Sequence, residues 1–319
     1  MTRDLQGVPV PTTQMFAMEV VCPGCKGALE LQAADRLKCA ACEMGFRKIN
    51  GFWNFILGGG FDDVIDDGQK AYESDANADT VRNYWLPLFE SLYGGRGSTV
   101  RLLSVGCGVG MDVDLLCAAG IECFGIDCGH RDSLWSERKQ HDHLLLANGR
   151  FLPFADASFD AVFCGCVFPH VGVVGDSNVV APDCDAQRRG LAGEMARVLK
   201  PGGRIVVSSP NRWFPADIFH GRDKGGYKPQ PNPPTSRFLL SVKDYETLFG
   251  SFGCGKSSAL PVRGYWGFIR ASHSLKGRLL SYPVRLLFRL ADLKVLRGSP
   301  LSPWLVVSMQ KHPAIAIQD

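Results

Sequence analysis

No stretch of this chain approaches the ~18 to 20 consecutive apolar residues that a membrane-crossing helix needs. The opening residues, Met1 to Gln14, carry no apolar core of the kind a secretory signal has. The expectation is a cytoplasmic protein without a transmembrane segment. Charge of one sign is also scarce: 35 Lys and Arg stand against 32 Asp and Glu, and a net charge of +3 is too mild to point to nucleic acid. Twelve cysteines without a leader argue for reduced thiols and metal ligation over disulfides. With 319 residues, 45% hydrophobic and 21% charged, the chain can hold one sizeable α/β domain and a small accessory unit.

The most telling local pattern runs Leu102-Leu103-Ser104-Val105-Gly106-Cys107-Gly108-Val109-Gly110. A continuously apolar strand, buried on both faces in a parallel sheet, enters a G-x-G-x-G turn. A helix is predicted over Met111 to Ala119, stopped at Gly120. Seventeen residues after Gly110, Asp127 closes a second short apolar run. Strand, glycine turn, helix and strand-end acid make a nucleotide-binding βαβ unit, in which glycines allow close approach and the acid takes ribose hydroxyls. The glycine spacing departs from the dinucleotide fingerprint, so a mononucleoside ligand is expected over NAD or FAD.

Nearer the N-terminus, Cys22-Pro-Gly-Cys25 and Cys39-Ala-Ala-Cys42 stand thirteen residues apart. Two turns with two thiolates each offer the tetrahedral sulfur set that Zn2+ prefers, and four Cys ligands leave no open position, so Cys22, Cys25, Cys39 and Cys42 read as a structural zinc site.

With Phe46-Arg47-Lys48-Ile49-Asn50-Gly51-Phe52 behind those cysteines, residues 18–57 resemble the zinc-ribbon activator subunit of tRNA, rRNA and release-factor methyltransferases. Further on, Asn148-Gly149-Arg150-Phe151-Leu152-Pro153-Phe154, then Ser158-Phe159-Asp160, then Lys200-Pro201-Gly202-Gly203 keep an order and spacing similar to the type-11 group of class I S-adenosylmethionine-dependent methyltransferases over residues 100–211. That resemblance implies an α/β fold, a Rossmann-like doubly wound sheet of seven strands, with the zinc ribbon as a small N-terminal module. The methyltransferase domain is expected over 70–319, with a substrate-loop region at 211–240 and a basic, lid-like helical insertion at 270–300.

The resemblance also implies roles. Gly106, Gly108 and Gly110 would line the methionine part of S-adenosylmethionine, and Asp127 would take the ribose 2′- and 3′-hydroxyls. Asn148 stands where the family usually has an acid for the adenine amine, and its amide oxygen can still accept that bond. Phe151 and Leu152 would flank the adenine, and Cys166 would face the methyl group. Ser104 replaces an acid usual at the end of the first strand. Two histidines are candidate bases, His170 in Val167-Phe-Pro-His170-Val and His220 after Pro210-Asn211-Arg212; each also reads as an ordinary structural or loop histidine. Asn232-Pro233-Pro234-Thr235 mimics an amine-orienting motif but lacks its aromatic residue and its place in the sequence, and it reads as a loop.

From Lys256 to the end the chain holds ten Lys or Arg against two acids, +8, leaving −5 elsewhere. A helix is predicted from Pro283 to Arg297, with Val284, Leu287, Leu290 and Leu293 or Leu296 on its apolar face, followed by a terminal strand over Ser302 to Gln310. Residues 276–297 could be a solvated lid, a membrane-surface contact or a phosphate-contacting face. The functional expectation is a cytoplasmic methyltransferase acting on an oxygen of a small-molecule, glycan or lipid-linked acceptor. An rRNA or tRNA methyltransferase is the alternative, less favoured because the ribbon is close to charge-neutral. A catalytically silent S-adenosylmethionine-binding partner, supported by Ser104 and Asn148 alone, is the second alternative.

Overall fold

A computed structural model describes residues 18–60, 67–94, 100–175, 177–220, 230–267 and 275–313. Residues 221–229 of the expected substrate-loop region and 270–274 of the expected insertion lie outside the described residues. The chain begins with four short antiparallel strands, β1 (Leu29–Ala33), β2 (Arg36–Cys39), β3 (Gly45–Ile49) and β4 (Phe52–Asn54). Helices α1 (Asp67–Thr80) and α2 (Leu86–Tyr93) follow, joined by a wider π turn at Val81–Trp85. Then come β5 (Arg101–Val105), α3 (Met111–Ala118), β6 (Glu122–Asp127), β7 (Leu144–Leu146), β8 (Phe159–Gly165), α4 (Cys184–Val198) and β9 (Leu199–Pro210). A two-stranded pair, β10 (Ala216–Asp217) with β11 (Gln230–Pro231), precedes α5 (Val242–Gly250), β12 (Ser258–Ala259), α6 (Leu275–Ala291) and β13 (Trp304–Gln310).

The sheet order β7-β6-β5-β8-β9-β13-β12 delivers the seven strands expected, all running in one direction except β13, which is antiparallel to both of its neighbours. Alternation along β5 sends Leu103 and Val105 to one face and Leu102 to the other. Apolar residues of α4 and α5 (Leu191, Met195, Tyr245, Phe249) cover the first face, and those of α2, α3 and α6 (Phe89, Leu116, Phe288) cover the second. This is the doubly wound arrangement.

The ribbon is not a separate bead. Strand β4 pairs parallel with the edge strand β7 at Asn54↔Leu146, making one eleven-stranded sheet. The Phe55 amide donates to Leu146 O at 2.7 Å, and Val21 donates to Pro153 O at 3.0 Å. Val20, Phe46, Trp53 and Phe55 share one core with Phe154 and Phe159. Lys26 Nζ lies 2.7 Å from Glu194 Oε2, which also accepts from the Leu152 amide at 2.7 Å and so ties ribbon, Leu-Pro-Phe turn and α4 together.

The segment after Asp127 is a 3-10 helix, His130–Glu137; the Trp135 indole within it and the Arg138 guanidinium just beyond it donate to the glycine-loop carbonyls Gly108 O and Val109 O. Two expectations need correction. Helix α6 starts eight residues before Pro283, which lies inside it, and ends at Ala291. It stops there because Asp292 turns its carboxylate to the amides of Val262 and Arg263, at 2.6 and 3.1 Å. The face of α6 turned inward holds Ser281, Phe288 and Ala291, with Val284 and Leu287 half-buried, while Leu290 and Leu293 are exposed.

Candidate functional site

The sheet order reverses direction at β5, with β6 on one side and β8 on the other, which opens a crevice beyond the carboxyl ends of these strands. All three glycines of the turn lie there in the left-handed region, Gly106 at φ +74°, Gly108 at +53° and Gly110 at +76°. A Cβ at Gly106 would come within 2.4 Å of the Val167 side chain, and one at Gly110 within 2.9 Å of Leu144; at Gly108 the nearest atoms stand 3.7 Å away. The outer glycines are fixed by packing, and the middle one leaves room on the crevice side.

Asp127 pins this turn. Its Oδ2 accepts from the Gly108 amide at 2.9 Å and its Oδ1 from Gly129 at 2.7 Å. Each carboxylate oxygen keeps a further lone pair for a hydroxyl. The Ser104 hydroxyl donates to a carboxylate oxygen of Asp112 in α3, so the acid missing at the strand end is supplied from eight residues later. Burial pushes the Asp112 carboxyl up to about 6, against the pull of its hydrogen bonds. Arg131 Nε and Nη2 grip both oxygens of Glu73 at 2.7 and 3.0 Å, holding α1 across the turn.

Near the ribbon linker, Asn148 is buried, and its Nδ2 donates to Gly59 O at 2.9 Å while its Oδ1 accepts from the Arg150 amide at 3.0 Å. The linker packs closely here: a Cβ at Gly58 would meet Phe151 Cε2 at 2.8 Å, and one at Gly60 the Cys128 carbonyl at 2.8 Å. The glycine triplet 58–60 was the sequence signal for that close approach. Phe151 is half-buried under the linker, and Leu152 is fully buried behind it as the site's apolar backing. Glycines that permit approach, a strand-end carboxylate with lone pairs to spare and an apolar wall fit an adenine nucleoside.

Across the crevice, at the end of β8, stands a cluster of polar side chains. Cys166 adopts φ +57°, a left-handed conformation unusual for a residue with a Cβ. Its Sγ lies 3.5 Å from His220 Nε2, and His220 Nδ1 lies 2.9 Å from Asp217 Oδ2. Asp217, buried on β10, also caps the amides of Phe219 and His220 with its other oxygen at 2.9 and 3.1 Å. The His170 ring, on a 3-10 turn over Phe168–His170, packs edge-on against that of His220 with centroids 5.0 Å apart. Burial works against a charge on His220, but Cys166 and Asp217 outweigh it and push the imidazole up to about 10; burial and the neighbouring His220 push His170 down to about 3. The structure thus brings together the two histidines and the cysteine that the sequence had singled out separately. Asp217, Asp112, Arg131 and Glu73 were missed: each is a polar residue outside any motif, made important only by chain folding.

The four ribbon cysteines also converge, with Cys25 and Cys39 sulfurs 3.4 Å apart and those of Cys22 and Cys42 3.7 Å apart. A Cβ at Gly27 would crowd Ala41 at 2.9 Å and the Cys39 and Cys25 sulfurs at 3.2 and 3.3 Å, so only glycine fits at that knuckle. All four sulfurs lie within 4.8 Å of one another, close enough for one metal ion to bind them all.

Residues 103–207 match the family described as a methyltransferase domain. An uncharacterized methyltransferase of Mycobacterium sp. (strain JLS) is 31% identical over 190 residues, which is 54% of this chain and 67% of that protein. A demethylmenaquinone methyltransferase of Tropheryma whipplei (strain Twist) is 36% identical over 120 residues, 35% of this chain and 44% of that one. The chain spans about half the length of several curated relatives that it matches. Among solved structures, geranyl diphosphate C-methyltransferase from Streptomyces coelicolor A3(2) aligns with a TM-score of 0.42 at 15% identity, over 72% of this chain and 76% of that one.

Proposed function

The chain belongs to the S-adenosylmethionine-dependent methyltransferases, and from that premise we propose that it methylates an oxygen of a small acceptor molecule, with a lipid-linked acceptor favoured over a free sugar or an RNA. Bound in the crevice, S-adenosylmethionine would supply an electrophilic methyl group on a sulfonium. Gly106, Gly108 and Gly110 would let the backbone close on its methionine part, and Asp127 would accept from the ribose hydroxyls. Asn148, Phe151 and the linker glycines would enclose the adenine.

The observation that carries the choice of oxygen is the Asp217–His220–Cys166 chain at the methyl-transfer end. Displacement on a sulfonium needs positioning and exclusion of water first. A hydroxyl acceptor must also lose a proton, and a quaternising nitrogen need not. With the His220 imidazole held charged by the buried Asp217 carboxylate, the Cys166 sulfur 3.5 Å away is the atom of the pair that would take up that proton. His170 would border the acceptor on the same side.

Helix α6 supports the lipid-linked class. Leu279, Tyr282, Leu286 and Leu290 are each 45% to 68% exposed, spaced three or four apart along one side, and Arg285 and Arg289 are exposed beside them; Leu293 and Lys294, exposed just past the helix end, continue the patch. Apolar side chains flanked by cations suit an anionic membrane surface better than a phosphate backbone. The opposite side of the helix reaches the site, since Phe288 packs against Phe219, the neighbour of His220. The ribbon cysteines would hold one structural Zn2+, with the ribbon serving as a built-in brace for the edge of the sheet. Transfer of labelled methyl groups from the cofactor into cell extract, fractionated into RNA, lipids and water-soluble molecules, tests the reading: label in the lipid fraction is expected, and label confined to RNA would overturn it.

A further inference from the structure

Cys166, His170 and His220 do more than neighbour one another. One donor atom from each can be chosen such that all three lie within 4.8 Å, the same closeness that the four ribbon cysteines show. The separation between Cys166 Sγ and His220 Nε2 is 3.5 Å. A tetrahedral zinc with a Zn–S bond of about 2.3 Å and a Zn–N bond of about 2.0 to 2.1 Å holds its sulfur and nitrogen about 3.6 Å apart. Three further observations point the same way. His220 is oriented by a carboxylate on its other nitrogen, 2.9 Å from Asp217, the arrangement that fixes metal-bound imidazoles. Cys166 keeps a left-handed backbone at φ +57°, directly after a glycine that would bear it more easily. All three residues are only half-buried.

We propose that Cys166, His170 and His220 form a three-ligand site for Zn2+, open on its fourth side to the methyl acceptor. One sulfur and two imidazole donors with an open position is the donor set of a catalytic zinc site, in contrast to the closed four-sulfur set of the ribbon. Binding converts the Cys166 thiol to a thiolate and releases its proton to solvent, with no change of oxidation state. An acceptor hydroxyl that enters the fourth position would lose its proton more readily, because the cation stabilises the alkoxide; with Cys166 and His220 serving as ligands in the loaded site, that proton passes to water and not to the pair. The proposal rests on the reading of this crevice as the methyl-transfer site, and it assigns the acceptor a hydroxyl or another ligating atom.

Zinc per chain, measured by elemental analysis after equilibrium dialysis of the full chain against buffered micromolar Zn2+, tests it. Cys166→Gly is the informative variant, since it removes the ligand and relieves the backbone. The wild type is expected to hold about one equivalent more than Cys166→Gly, and His220→Gln is expected to show the same deficit. Zinc that persists in both variants reports an intact ribbon and a folded chain. Cobalt-loaded wild type should show a four-coordinate spectrum whose thiolate band loses a component in Cys166→Gly. An equal zinc content in wild type and Cys166→Gly would overturn the proposal. Calorimetric binding of S-adenosylmethionine to the same wild-type sample separates the two readings: cofactor binding without the extra zinc sinks this inference and leaves the methyltransferase standing.

Discussion

Asp112, in the first turn of α3, reaches back to accept the hydroxyl hydrogen of Ser104 at the inner end of β5. The carboxylate is largely shielded from water, and that desolvation raises its protonation to about pH 6. In the unfolded chain the same group titrates near 3.9. Between about pH 4 and pH 6 the folded state holds a proton that the unfolded state does not, so the stability of the fold falls as pH rises through that window, by up to about 3 kcal/mol. Asp112→Asn removes the slope. Urea unfolding of both proteins at pH 4.5 and pH 7 should show the variant gaining on the wild type at the higher pH; parallel pH profiles would contradict this assignment.

Asp127 holds the glycine turn through the amides of Gly108 and Gly129 while keeping lone pairs for a ligand. Asp127→Ala should weaken cofactor binding about 10- to 100-fold, the worth of one or two hydrogen bonds to a charged acceptor. Titration calorimetry reads this directly, and unchanged affinity would remove Asp127 from the site.

Asp217→Asn preserves shape but replaces an acceptor facing His220 Nδ1 with a group that can donate. Proton handling by the pair should suffer, lowering kcat by about 100-fold or more with little effect on cofactor affinity. A loss confined to KM would mean that the residue only shapes the acceptor pocket.

Because Val20, Phe46 and Phe55 share a core with Phe154 and Phe159, stripping zinc from the ribbon should loosen the main sheet too. Cys39→Ala is expected to lower the melting temperature of a single cooperative transition. A small early transition followed by an unshifted main one would show that the ribbon melts independently.

The exposed side of α6 predicts binding to vesicles that contain anionic lipid, weakened by salt and by Leu286→Ser with Leu290→Ser. Sedimentation with vesicles checks it; binding that ignores both lipid charge and the substitutions would contradict a membrane-facing role.

Local signals carried the fold well. The apolar strand at 102–105, the glycines at 106, 108 and 110, and the spacing to Asp127 are neighbours in sequence, so the βαβ unit is written in one stretch. The cysteine pairs located the ribbon in the same way. What stayed hidden depended on contacts between distant segments. The joining of β4 to β7 rests on an edge strand whose free side no local pattern announces. Asp112 looked like a first-turn acid of α3, and only the approach of β5 makes it the partner of Ser104. The apolar residues of α6 misled because the helix is apolar on both sides, so the period alone could not tell the side packed on Phe219 from the side left exposed. His170 and His220 were legible as candidates, but their meeting at Cys166 required the loop after β9 to fold back over the end of β8.

The measurement closest to the heart of this account is calorimetric titration of the zinc-loaded chain with S-adenosylmethionine. Saturable binding at one site, weakened about 10- to 100-fold in Asp127→Ala, is the predicted result. No heat at millimolar ligand would contradict the reading of the glycine turn and with it the assignment of methyl transfer to this crevice.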